Sequence, residues 1–144
     1  MTHARLIALL IPCLLFPASA SASDTYLCLA EQTTGFNFDS ARKTWKSADF
    51  GSSKKIAITR ARNKAWAWDA REVGDSQPGA TCEQDFNDAG NLFCSGVFEL
   101  RFNRRQLRFL YVYPIGYWSD GDAKGMAHEG DNTPAMAIGT CKPL

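Results

Sequence analysis

Short runs in which apolar and polar residues alternate recur along most of this chain. Clear examples are residues 55–60 (KIAITR), 98–102 (FELRF) and 107–111 (LRFLY). Alternation with a period of two places successive side chains on opposite faces of a β-strand, and turn-forming residues separate the runs. The sequence therefore predicts an all-β fold, either a small antiparallel β-barrel or a strongly curved sheet, with roughly seven to nine short strands.

The last two of these runs predict a hairpin with a defined register. With Phe102 opposite Leu107, every apolar pair falls on one face, and a slip of one residue would bury Arg101. The other pairs are Leu100 with Phe109, Phe98 with Tyr111 and, on the exposed face, Arg101 with Arg108. Like charges placed opposite each other repel, so this face requires an anionic neighbour.

A second hairpin is expected around a three-residue loop, residues 61–63. If the last loop residue is left-handed, Ile58 faces Trp66 and Ile56 faces Trp68. The apolar side chains of both hairpins then point into one core. Its expected large members are Phe36, Phe38, Trp45, Ile56, Ile58, Trp66, Trp68, Phe98, Leu100, Phe102, Leu107 and Phe109.

One short helix is predicted between Cys82 and Asp88. Thr81 and Gln84 stand at capping-box spacing, and Gly90 follows where a helix commonly ends. We expect this helix to cross one end of the barrel.

Residues 1–22 are typical of a cleaved secretory signal peptide. Arg5 precedes an apolar run at residues 6–16, and small residues follow up to Ala22. The apolar run is about half as long as a membrane-spanning helix requires, so no membrane span is expected. Residues 23–144 are predicted to form a single domain that is periplasmic or secreted.

Four cysteines remain after the signal peptide, an even number that predicts two disulfides in an exported protein. Three connectivities are possible. We favour Cys82 with Cys94, which flank one short turn-rich segment, and Cys28 with Cys141, which would join the first strand to the last. The spacing contains no C-x-x-C motif, so no metal site is predicted at the cysteines.

Charge composition argues against general nucleic-acid binding. The chain has 16 Lys and Arg against 15 Asp and Glu, and loss of Arg5 with the signal peptide leaves 15 of each. A nucleic-acid binder normally shows a strong basic excess. We expect no nucleic-acid partner.

Groups suited to catalysis are scarce. His128 is the one histidine after the signal peptide, and no serine lies in a G-x-S-x-G turn. Carboxylate pairs such as Asp85 with Asp88, or Asp120 with Asp122, occur more often as solvated turn residues than as glycosidase pairs. We therefore assign no catalytic residue and no cofactor.

Residues 120–131 partly match a calcium-binding loop. Asp120, Asp122 and Asp131 occupy the first, third and twelfth positions, and Gly125 occupies the sixth. Lys124, however, stands at the fifth position, where a calcium ligand belongs. We expect a solvated turn without calcium.

Two clusters are candidates for ligand binding. One consists of arginines that can hold an anion, and the other of aromatic residues beside a glycine-rich loop. The arginine cluster consists of Arg101, Arg104, Arg105 and Arg108, and the aromatic cluster of Tyr117 and Trp118. The alternative for the arginines is neutralisation by Glu99 and the acidic residues 120–131.

Several short elements resemble a family of small secreted proteobacterial proteins with no assigned activity. They are Tyr26-x-Cys28, Phe36-x-Phe38-Asp39 with Trp45, Phe102-Asn103 with Leu107-Arg108-Phe109, Gly116-Tyr117, Asp131-x-x-Pro134, and Ile138-Gly139-x-Cys141-x-x-Leu144. The resemblance implies the same fold and compartment and supplies no site.

These observations predict a monomeric, non-enzymatic binding protein in the periplasm or outside the cell. Its expected partner is an envelope protein, a glycan or an anionic headgroup. The alternatives are an inhibitor of a wall-degrading enzyme such as lysozyme, by fold-level analogy, and a carboxylate-based envelope hydrolase.

Overall fold

The computed structural model describes residues 23–51, 53–62, 65–118 and 129–144. The predicted signal peptide, Asp120, Asp122 and His128 lie outside these residues. The described part contains nine β-strands: β1 Thr25–Asp39, β2 Thr44–Phe50, β3 Lys55–Arg60, β4 Trp68–Glu72, β5 Ala80–Cys82, β6 Asn91–Gly96, β7 Glu99–Asn103, β8 Arg108–Tyr113 and β9 Ala135–Pro143. No helix in this part is long and apolar enough to cross a membrane.

Eight of the strands close into an antiparallel barrel. The sheet order is β2-β1-β3-β4-β5-β6-β7-β8-β9, and β9 pairs back with β1. Barrel strands that follow one another along the chain are also neighbours in the sheet. The strands β1 and β3 to β9 therefore form an up-and-down barrel. The predicted all-β class and the barrel alternative are confirmed.

Strand β1 is long because it changes partner along its length. Residues 25–29 pair with β3, and residues 33–39 pair with β2. A bulge between Ala30 and Gln32 marks the change. The last pair with β9 is Gly35 with Ala135, so the rest of β1 continues past the barrel with β2 alone.

The barrel has two ends that differ in their loops. At the capped end lie residues 61–62, 65–67, 83–90 and 104–107, and the Phe86 ring packs against the core there. At the opposite end, which we call the aromatic end, lie residues 73–79 and 114–118.

Large side chains fill the barrel interior. Trp68, Tyr111 and Phe102 are each at most 2% exposed. Tyr26 and Leu92 are core residues that were not predicted, whereas Tyr111 is buried as expected from its place on the apolar face of the β7–β8 hairpin. The prediction of Phe36, Phe38, Trp45 and Trp66 as core residues is wrong, because the first three lie where β1 and β2 extend past the barrel and Trp66 lies in a loop.

Both favoured disulfides are present. Cys28–Cys141 joins β1 to β9 at the strand pair that closes the barrel. Cys82–Cys94 joins β5 to β6 across the loop at the capped end. All four cysteines belong to the buried core.

The register predicted for the β7–β8 hairpin is wrong by two residues. Phe102 lies opposite Phe109, and Arg101 lies opposite Leu110 rather than Arg108. The turn is longer than expected because the Asn103 carboxamide oxygen accepts the backbone N–H groups of residues 105 and 106. A two-residue shift preserves the buried face, which is why the core assignment survives.

The register predicted for the β3–β4 hairpin is also wrong. Ile58 lies opposite Ala70, and Arg60 lies opposite Trp68. The Ala67 carbonyl still accepts the Ala61 N–H across the hairpin, while the Ala67 N–H donates to the carbonyl of Cys82 on β5.

The predicted helix from Cys82 to Asp88 is not present. Thr81, its expected cap, is used in β5, where it pairs with Asp69 and Ser95. The Asp85 carboxylate accepts the Phe86 N–H, and the segment then directs Phe86 against the core. Strand pairing and burial of an aromatic ring therefore override the local capping signal.

Candidate functional site

Aromatic residues collect at the aromatic end, outside the barrel. We call Phe36, Phe38, Trp45, Tyr117 and Trp118 the aromatic surface. Phe38 of β1 lies opposite Trp45 of β2, and their ring centroids are 5.3 Å apart. The Trp45 ring also meets Tyr117 edge to face at 5.8 Å. The extension of β1 and β2 therefore supports the loop that follows β8.

The segment leading into β9 holds Trp45 in place from the other side. The indole N–H of Trp45 donates to the Glu129 carboxylate at 3.0 Å. Gly130 has φ +94°, and a Cβ there would lie 2.7 Å from Phe38 Cδ1. Only glycine fits both the conformation and the contact. Trp45 is thus oriented by a hydrogen bond and by packing.

Tyr117 and Trp118 present most of their rings to solvent, with relative exposures of 73% and 74%. The preceding Gly116 has φ +128° and lies so close to the backbone of Asn132 that a Cβ would be 2.4 Å from its carbonyl oxygen. This turn keeps the two aromatic residues outside the barrel. Adjacent exposed aromatic rings are typical of interaction sites.

A polar network lies beside the aromatic surface, where β3, β4 and β8 reach the aromatic end. Lys54 Nζ contacts Glu72 Oε1 at 2.6 Å, and the Tyr111 hydroxyl donates to the same oxygen at 2.9 Å. The Tyr113 hydroxyl donates to Asn132 Oδ1 at 3.0 Å. Most of these groups line an open cleft of about 380 Å³.

Burial raises the pKa of Tyr111 well above its usual range, and the neighbouring Glu72 carboxylate raises it further. Burial and Glu72 also raise the pKa of Tyr113. Both hydroxyls therefore remain protonated at neutral pH and act as donors. The network therefore holds β4 and β8 together at the aromatic end of the barrel.

The four predicted arginines are spread along one side of the barrel toward the capped end. Arg104 stacks on Phe86 with 4.7 Å between its guanidinium carbon and the ring centroid, and Arg105 donates to the carbonyl of Asp88. Arg101 pairs with Glu99 at 3.1 Å. Arg108 is exposed on β8. Neutralisation by Glu99, the alternative to ligand binding, is thus realised for Arg101.

The arginines and Tyr117 with Trp118 do not form one surface. The turn at residues 104–107 precedes β8, and residues 114–118 follow it. The six residues of β8 separate the two by about 17 Å at the usual strand rise of about 3.3 Å. Arg104 and Arg105 therefore lie at the opposite end of β8 from Tyr117 and Trp118, and the roles of all these residues in binding stay predictions.

At the capped end, the Asp85 carboxylate connects its own loop to β3 and β4 through hydrogen bonds. Burial raises its pKa, but hydrogen bonds from Trp68, Arg60 and the Phe86 N–H outweigh burial and lower the pKa below its usual value. These bonds measure 2.8, 2.7 and 2.8 Å. Asp85 is therefore a structural anchor rather than half of a carboxylate pair.

Sequence reasoning missed Trp45, Lys54, Glu72 and Glu129 as parts of the candidate site. Trp45 alternates with polar residues as a core residue would, and nothing near it in sequence shows that β2 lies beyond the barrel. Glu129 reaches Trp45 across 84 residues of sequence. Closure of the barrel creates these contacts, so no local pattern signals them.

The described residues contain no group of three or more His, Cys, Asp or Glu side chains arranged to hold a metal ion. The fold and this site define a class: a disulfide-linked, up-and-down antiparallel barrel with a filled interior and an external aromatic surface. Comparison of the chain with protein-family models, with curated proteins and with solved structures finds no match.

Proposed function

We propose that this chain is a non-enzymatic binding protein, periplasmic or secreted, that holds an envelope protein or a glycan on its aromatic surface. The observation that carries the proposal is the exposure of Tyr117 and Trp118 beside a fixed Trp45. Such rings offer a large contact area and lose little conformational freedom on binding.

Two disulfides support an extracytoplasmic location. Bonds of this kind persist in oxidising compartments and are rare in the reducing cytosol. This agrees with the expected signal peptide at residues 1–22.

The packing of the barrel supports an external rather than an internal binding site. Trp68, Phe102 and Tyr111 occupy the interior, where barrels that carry small ligands have a cavity. A partner would therefore dock on the outside. The aromatic surface offers rings that stack on a sugar or fill a pocket in a protein.

Inhibition of a wall-degrading enzyme is a more specific form of the same proposal. Glu129 and Asp131 lie next to the aromatic surface, and carboxylates at an interface rim attract a cationic partner such as lysozyme. An inhibitor would use the aromatic rings as anchors and the acidic rim to speed association.

A carboxylate-based hydrolase has less support. Glu72 and Asp75 line the same cleft. One oxygen of Glu72, however, already accepts hydrogen bonds from Lys54 and Tyr111, so it is engaged within the protein. A glycosidase requires two carboxyl groups that act directly on the glycosidic bond.

Comparative capture from an envelope extract tests the proposal. Residues 23–144 are immobilised as the wild type, as Tyr117→Ser/Trp118→Ser and as Phe93→Ser. Phe93 is a matched control because it is 52% exposed on β6, away from the aromatic surface. We expect the double variant to capture at least about tenfold less of the partner than the wild type does. The Phe93→Ser control should capture as much as the wild type.

Two results would contradict the proposal. One is undiminished capture by the double variant. The other is that Arg104→Ala/Arg105→Ala loses capture while the aromatic double variant keeps it. That result would place the contact at the capped end.

A further inference from the structure

We infer that a groove on the outer face of β3 and β4 binds an oxyanion carried by a sugar, such as a uronate or a sugar phosphate. This arginine groove has a volume of about 500 Å³, and its lining includes Arg62, Arg71, Thr59, Asp69, Ser76 and Gln77. It is separate from the aromatic surface and goes beyond the proposed function.

Strand pairing forms the floor of the arginine groove. Thr59 of β3 lies opposite Asp69 of β4, and Ala57 lies opposite Arg71. Because Ala57 is small, it leaves open space beside the Arg71 side chain. Loop residues 76–78 and N-terminal residues 24–25 form the walls.

Two of the arginines in this groove lack a carboxylate partner among the described residues. Arg60 is engaged by Asp85 at 2.7 Å and by Asp24 at 3.7 Å. The Asp69 carboxylate accepts the Trp66 indole N–H at 2.5 Å. Arg62 and Arg71 form no ion pair within the part of the chain that the structure describes.

The remaining groups define the ligand. Guanidinium groups bind carboxylates and phosphates through paired N–H donors. Thr59, Ser76 and Gln77 add neutral donors and acceptors around the arginines, which suit the hydroxyl groups of a sugar. The groove is therefore complementary to an anion with a hydroxylated body rather than to a bare ion.

The Trp66 indole provides a direct readout of this site, since it donates to Asp69 in the groove lining. In spectra of protein labelled with ¹⁵N at tryptophan, each indole N–H gives its own signal. Galacturonate, glucose 6-phosphate, inorganic phosphate and neutral galactose are titrated separately. We expect saturable shifts of the Trp66 signal with galacturonate or glucose 6-phosphate, and none with galactose.

The charged sugar that binds with the higher affinity shows whether the oxyanion is a carboxylate or a phosphate. Inorganic phosphate is expected to bind at least about tenfold more weakly than that sugar, because it lacks the hydroxyl contacts. Absence of a saturable shift with both charged sugars would overturn the inference. Equal affinity for inorganic phosphate would overturn its saccharide part.

Single-arginine variants assign the binding to the groove. Arg62→Gln and Arg71→Gln are each expected to weaken the better sugar at least about tenfold, because each removes a charge-assisted contact. Arg42→Gln, at an exposed arginine in the turn between β1 and β2 that pairs with Asp39, is the matched control and should leave affinity unchanged. An unchanged Trp68 signal, from within the core, verifies that each variant is folded. Equal weakening in the control would overturn the assignment.

Discussion

At the scale of single residues, Asp85 connects the loop at the capped end to the barrel. Its carboxylate bonds to Trp68 in the core and to Arg60 on β3, and its own loop supplies the Phe86 N–H. Phe86 then packs against Tyr26, Trp68 and Phe102 at centroid distances of 6.0, 5.2 and 5.7 Å. One acidic residue thereby fixes the aromatic ring that closes this end.

We predict that Asp85→Asn lowers the free energy of unfolding at neutral pH by about 1 kcal/mol. The estimate is modest because the Asp85 side chain is half exposed, so solvent screens its pair with Arg60. The folded-state pKa is lowered, so this stabilisation is present above the unfolded pKa of about 4 and is lost as pH falls through the folded pKa.

Denaturant unfolding of the wild type and Asp85→Asn between neutral and acidic pH measures this effect. The gap between the two proteins should narrow below about pH 4. Asp88→Asn is the control, because Asp88 lies in the same loop and contacts Arg105 through its carbonyl. A constant gap, or an equal effect in the control, would contradict the assignment.

A second prediction at this scale concerns Gly130. Gly130→Ala should destabilise the packing of Phe38 and Trp45 by about 1 kcal/mol or more, since alanine meets both an unfavourable φ and the Phe38 ring. Gly51→Ala is the control, because a Cβ at Gly51 meets nothing within 4 Å. Near-ultraviolet circular dichroism should change only in the first variant. Identical spectra for both would show that Gly130 does not order the aromatic surface.

At the scale of elements, the two disulfides are expected to contribute unequally. Cys28–Cys141 closes a separation of 113 residues and Cys82–Cys94 one of 12. In the chain-entropy account the longer loop restricts the unfolded state more, by about 1–2 kcal/mol. Cys28→Ala/Cys141→Ala should therefore lower the free energy of unfolding more than Cys82→Ala/Cys94→Ala. Chemical denaturation of both double variants measures the difference, and the reverse order would contradict the account.

Strands were easier to predict than their registers. The alternation at residues 55–60 and 98–102 is a local property, and both segments form or overlap strands. The turns depend on the Asn103 side chain and on contacts with other strands. Leu107 adopts φ +54°, and its carbonyl accepts the N–H of Cys141 on β9; Ala67 donates to Cys82 on β5. Neither contact has a signature in the local sequence.

At the scale of the whole molecule, the barrel could be predicted and the aromatic surface could not. The cysteine pairing indicated that the first and last strands meet, and β1 and β9 do close the barrel. Whether Trp45 is buried depends on where β9 begins, since pairing with β1 ends at Ala135. Tyr117 and Trp118 were identified from sequence, but the rings and polar groups that accompany them come from distant segments.

The four tryptophans make the proposed binding surface directly observable. Trp45 and Trp118 belong to the aromatic surface, Trp66 adjoins the arginine groove and Trp68 lies in the core at the capped end. Protein labelled with ¹⁵N at tryptophan is mixed with unlabelled envelope extract. Because only the protein carries the label, the indole region of the NMR spectrum shows only its four indole N–H groups. Extract depleted beforehand with excess unlabelled protein is the control.

Our account predicts that the Trp45 and Trp118 signals shift or broaden in the complete extract and not in the depleted one, while the Trp68 signal stays in place. Perturbation of the Trp68 signal alone, with Trp45 and Trp118 unchanged, would contradict the claim that the aromatic surface is where this protein binds its partner.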